Sequence, residues 1–161
     1  MPSRTGRPWQ PGARLLTAAA ALYLAGWLVH NADHLRRGFD VVTTQVIVLG
    51  SVAGVLQLVA IGAVFFRFRL APLLAVVVGL PDAVGIAAVH LLPHWSSLSD
   101  AFPGAHGAGV TVWSWVAASA EVGTALLFAL AGLYTLRSQG GLNGLQGVSS
   151  PKRSALGQHA G

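Results

Sequence analysis

His30, Asp33 and His34 follow one another at i, i+3 and i+4, so on a helix all three project from one face. Two imidazoles one turn apart can grip a single metal ion, and a carboxylate between them can join the ion or orient a ring. His90 and His94 repeat the i, i+4 spacing, with Pro93 between them. The residue before a proline is driven out of the helical region, so His94 is expected at a helix end or on the loop beyond it. His106 lies in the Gly- and Pro-rich run from Phe102 to Gly109, which is able to fold over such a site. For His94 and His106 the plain alternative is a polar anchor at an interface.

Imidazole with carboxylate suits zinc, copper, iron or nickel. The candidate metal ligands are therefore His30, Asp33, His34, His90 and His94. Two histidines on different helices can instead hold haem b axially, which singles out His30 and His90, with Gly26 and Ala87 leaving room for a porphyrin. Asp33 beside the histidines favours a bare ion. It also has a simpler use, as an ion-pair partner of Arg36 or Arg37. Asp40 and Asp100 read as loop and cap residues, because an Asp ahead of an apolar helix is a common N-cap.

Asp82 and Glu121 form a second constellation. Each stands alone in a long apolar run: at 1.5 Å per helical residue Asp82 is about 12 Å below His90 and about 15 Å below Leu92, and Glu121 is about 16 Å from Val110. Both are expected near mid-membrane at one level. An ionised acid there costs about 2.5 kcal/mol or more, so each needs a proton, a hydrogen-bond partner or a cation. Pro81, with Gly79 and Gly85, kinks and thins the segment that carries Asp82. Locking of the helices by a carboxyl hydrogen bond and a metal or proton-relay role are both open. On the second run Gln45, Ser51 and Gln57 are spaced six apart and do not share a face, so at most two look inward.

The elements that must position these groups are transmembrane helices. Only 9% of the 161 residues are charged and 53% are hydrophobic, against about 25% charged in soluble domains; mean hydropathy is +0.62. A span needs roughly 20 apolar residues, and four runs qualify, at about 15–32, 41–66, 70–92 and 110–136. They lack period-2 alternation and are too long for strands. The expected fold is an all-α, integral membrane four-helix bundle, with a basic N-terminal segment at 1–14 and a flexible basic tail at 137–161. A signal peptide over Leu15–Val29 is the lesser reading, because the apolar run continues into His30 without a small-x-small cleavage site.

Arg4, Arg7, Arg14, Arg67, Arg69, Arg137, Lys152 and Arg153 fall on one side of this plan, and only Arg36 and Arg37 on the other. Both termini are therefore expected in the cytoplasm of a plasma-membrane protein, with the histidines at the outer face. Trp27, Trp95, Trp113 and Trp115 then lie toward the outer boundary, as an aromatic belt. His30, His34 and Asp40 are offset by 60 from His90, His94 and Asp100. This fits either a parallel duplication of two helix hairpins or coincidence. Gly50 and Gly54 form a G-x-x-x-G pair, a weak signal for helix pairing.

The absence of cysteine excludes disulfides, thiolate metal sites and iron–sulfur clusters. The net charge of +5 is spread around apolar segments, so no nucleic-acid partner is expected. The chain has no H-E-x-x-H, nucleophile elbow or P-loop. The leading expectation is a membrane protein binding zinc, copper or iron, or haem, with Asp82 and Glu121 as a deeper polar pair. An oligomeric ion or proton transporter, a metal-dependent membrane enzyme and a non-catalytic subunit of a larger complex are the alternatives.

Overall fold

Helix formation follows from solvent. In hydrocarbon every backbone amide must bond within its own segment, which a helix achieves along its length. The computed structural model describes residues 11–104 and 109–148, and these form four long helices with no strands among them. We label them α1 (Pro11–Arg37), α2 (Thr44–Phe65), α3 (Ala71–Ile86) and α4 (Val112–Val148). α3 continues into a wider π turn over Ala87–Leu91, and a short 3-10 turn, Phe39–Val41, joins α1 to α2. α1, α2, α4 and α3 together with its π turn each contain a segment long and apolar enough to cross a membrane. α4 runs on to Val148, past the Leu136 at which the span was expected to end and into the stretch expected to be flexible.

The boundaries have local causes. α1 ends at Gly38, whose φ of +85° favours a residue without Cβ. Thr43 caps α2 by accepting a hydrogen bond from the Val46 amide, and its own hydroxyl donates to the Ser97 carbonyl. The α2–α3 turn carries Arg67 at φ +57°, and Pro72 sits in the first turn of α3, where a missing amide proton costs nothing.

Packing centres on α4, which lies between α1 and α3. Small residues bring the backbones close, as lipid-embedded helices require. A Cβ on Gly79 would stand 2.8 Å from the Ala125 carbonyl oxygen, and one on Gly132 would stand 2.6 Å from the Pro72 carbonyl oxygen. Gly26 lies against Thr124 and the Cα of Glu121 in the same way. At the end away from the histidines the core is apolar, built from Leu16, Ala19, Ala20, Ala60, Ile61 and Phe128 among others. The outward faces carry exposed Leu on every helix and exposed Val on α2, α3 and α4, which is the expected surface of a protein solvated by lipid.

Candidate metal centre

α1 delivers His30 and His34 one turn apart, and the π turn after α3 delivers His90. Asp82 and His90 are eight residues apart, so on an unbroken α-helix they would differ by about 80° in direction. The π turn adds roughly one residue to the winding. That brings His90 back to about 20° from Asp82, onto the face that meets α1 and α4. The loop after the turn takes up backbone groups at its end: the Asp100 amide donates to the Val89 carbonyl at 3.0 Å and the Phe102 amide to the His90 carbonyl at 2.9 Å.

The three rings converge. One ligand-capable nitrogen from each of His30, His34 and His90 lies within 4.8 Å of the others. Nε2 of His30 and Nε2 of His34 are 3.0 Å apart, one donating to the other. Tetrahedral ligands with metal–nitrogen bonds of about 2.0–2.1 Å stand about 3.3 Å from each other, so this spacing is close to that of a metal-bound pair. His90 Nδ1 is 3.1 Å from the Asp100 carbonyl oxygen and 3.4 Å from its carboxylate. A proton on Nδ1 then satisfies Asp100 and leaves Nε2 as the ligand atom.

An outer set of residues holds the rings. Arg37 grips Asp100 with two hydrogen bonds of 2.7 Å and lies over the Phe102 ring, which stacks on His90 at a centroid distance of 4.8 Å. Burial alone would push the Asp100 carboxyl up, but the hydrogen bonds from His90 and Arg37 outweigh it. They hold the carboxyl well below the ordinary carboxylate range. On the other side, His30 Nδ1 faces Glu121 Oε2 at 3.6 Å, and neither atom has a hydrogen-bond partner although both are buried. They are the only such side-chain atoms among the described residues, and each carries the cost of an unmet polar group.

Below this lies the carboxyl level. Gln57 of α2 donates through Nε2 to Asp82 Oδ1 and, at 3.3 Å, to Glu121 Oε1. The Tyr23 hydroxyl donates to Asp82 Oδ2 at 2.7 Å. The expected meeting of Asp82 and Glu121 is thus made through Gln57. Ser51 is exposed and bonds its own helix, and Gln45 is exposed.

Two expected ligands stand elsewhere. Asp33 is taken by Arg36, at 2.8 and 3.0 Å, and by the Ser114 hydroxyl; a flexible guanidinium three residues away on the same helix reaches it first. His94 is exposed on the stretch after the π turn, as Pro93 dictates. Asp100 is a buried ion-pair residue rather than a helix cap. Gly26 leaves no room for a porphyrin, because Thr124 and Glu121 fill the space beside it. His106 and the tail beyond 148 lie outside the described residues.

Sequence reasoning missed Tyr23, and it placed Arg37 only as a candidate partner of Asp33 and not of Asp100. Tyr23 precedes His30 by seven residues, and that spacing alone marks it as sharing the face. No family model, curated protein or solved structure matches the chain. The geometry therefore carries the functional reading.

Proposed function

We propose that this small multi-pass membrane protein binds one transition-metal ion, zinc, copper or iron, through Nε2 of His30, His34 and His90. The observation that carries the reading is the His30–Glu121 contact. An ion on His30 Nε2 fixes the proton on Nδ1, which then donates to Glu121 Oε2. The two orphaned atoms become the carboxylate–histidine–metal arrangement that commonly supports such ligands. His90 has the matching support from Asp100. Three neutral imidazoles leave a fourth position open, and the Glu121 carboxylate offsets part of the ion's charge.

Ring spacing favours a bare ion over haem. Axial imidazoles on one iron have their ring centres about 6 Å apart, whereas the His30 and His90 centroids are 4.8 Å apart in edge contact. For Asp82 the closed network with Tyr23 and Gln57 supports a role in locking the helices. The apolar core beyond it supports no polar path through a single bundle. The positive-inside bias sets the histidine end at the outer face of the plasma membrane, with both termini cytoplasmic.

Elemental analysis and an absorption spectrum of the protein purified in mild detergent test this. We expect close to one metal per chain and no Soret band, with the metal lost in His30→Ala and His90→Ala. Glu121→Gln should bind the ion about 10–100-fold more weakly. A metal-free protein that ignores added zinc, copper and iron would overturn the reading, and a Soret band lost in the same variants would replace it with haem.

A further inference from the structure

α2 is buried only along its second half, through Gln57, Ala60, Ile61, Ala63 and Val64. Its first half stands away from α1 and α3 and encloses with them a cavity of about 770 Å³, inside the range of about 300–1,000 Å³ typical of small-molecule sites. The walls are apolar, with Val46, Val77 and Val78 among them, and are thinned by Gly50, Gly54 and Gly85. The ionisable side chains in the lining are His30, His34, His90, Asp82 and Glu121.

The mouth of this cavity lies at bilayer depth. Gly50 and Gly85 line it and are exposed. Gly50 stands about 9 Å inside the start of α2 at 1.5 Å per residue, and Gly85 stands six residues before the end of the span that α3 and its π turn form together, at Leu91. A Cβ on either would meet nothing within 4 Å. The G-x-x-x-G pair therefore shapes a cavity wall. Nδ1 of His30 and of His90 point to Glu121 and Asp100, so those sides of the histidine cluster are closed. His34, the half-buried histidine, lines the cavity and leaves that side open.

We infer that the cavity admits an amphiphile from the bilayer, with an apolar body and a single oxygen head, hydroxyl or carboxylate, that takes the open fourth position of the metal. The inference rests on the three-histidine metal reading. Oxygen is a ligand that zinc and iron readily accept beside imidazole. A phospholipid head is disfavoured, because the lining contains no Lys or Arg to meet the phosphate oxygens that the ion leaves unbound. The apolar body replaces lipid along the Val-rich walls, and the head reaches the ion without crossing water.

The test uses the full chain in phosphatidylcholine nanodiscs loaded with cobalt(II), whose visible bands report on the fourth ligand. Dodecanol, dodecanoate and dodecane are titrated in turn. A saturable band shift with the alcohol or the acid, and none with the alkane, is the expected result; which of the two shifts the bands identifies the head. Gly50→Leu and Gly85→Leu should weaken that response roughly tenfold by filling the cavity, with cobalt affinity unchanged. An equal response to dodecane, or a shift by ethanol or acetate that the glycine variants leave intact, would overturn the inference. So would cobalt binding with no response to either oxygen-headed chain, which leaves the metal reading standing. Failure to bind cobalt, zinc, copper or iron at all would remove both.

Discussion

Asp100 shows how one residue can serve fold and site together. Its carboxylate neutralises the buried Arg37 guanidinium, while its backbone carbonyl can accept a hydrogen bond from His90 Nδ1. Its carboxyl is held well below the ordinary carboxylate range by His90 and Arg37 against the upward push of burial. A group with a depressed folded value stabilises the fold fully above the unfolded value, about 3.9 for Asp, and loses that contribution as pH falls through the lower folded value. Asp100→Asn leaves Arg37 with no carboxylate at this position. The expected cost is about 3–5 kcal/mol, the range for breaking a buried pair. Thermal unfolding of metal-free protein in detergent checks it. The gap between wild type and Asp100→Asn should be constant from pH 7 to about 5 and shrink below about 4. A gap that is flat down to pH 2 would remove Asp100 from this role. The sequence displayed His30, His34, His90, Asp82 and Glu121 because isolated polar residues in apolar runs are conspicuous. It did not display the Arg37–Asp100 pair, which joins two residues 63 apart across a loop; for Asp33 it offered the pair with Arg36 beside a ligand role without deciding between them.

At the level of helices the spans were legible, because roughly twenty apolar residues in hydrocarbon leave the backbone few alternatives. The rotation of His90 was not. A periodic reading assumes one winding throughout, and the π turn that contains His90 breaks it. Helix contacts were likewise hidden, since Gly79, Gly132, Gly85 and Gly123 look alike in a glycine-rich chain. The structure separates them. A Cβ added to Gly79 or Gly132 would stand 2.8 Å or 2.6 Å from a backbone oxygen of the facing helix, whereas one on Gly123 would meet nothing within 4 Å. Gly79→Ala and Gly132→Ala should each lower stability by about 1–3 kcal/mol, the usual cost of overpacking. Gly123→Ala should be neutral or slightly stabilising, as Ala is the better helix former. Melting temperatures of the three variants in one detergent decide it; equal effects at all three positions would mean that α3 and α4 do not approach this closely.

For the whole molecule the two ends differ in kind. One end gathers the histidines, Asp100 and Arg37 around a cavity; the other is closed by the apolar core and displays Arg14, Arg67, Arg69 and Arg137, all exposed. At the histidine end Arg37 is buried against Asp100 and Arg36 is bound to Asp33. Among the described residues, four exposed arginines at the far end stand against one, Arg36, at the histidine end, the same bias as the sequence count of basic residues. If exposed cations set orientation, an ion at the proposed site would come from outside the cell and the proposed amphiphile from the bilayer's outer half. The absence of cysteine makes this directly measurable, because any introduced thiol is unique. Ser97→Cys sits exposed at the histidine end, and Gln139→Cys sits exposed near the far end of α4. A membrane-impermeant maleimide should label Ser97→Cys in intact cells and Gln139→Cys only after permeabilisation. The reverse pattern would turn the protein over and make the cytoplasm the source of the metal. Labelling of both in intact cells would mean that the four helices do not all cross.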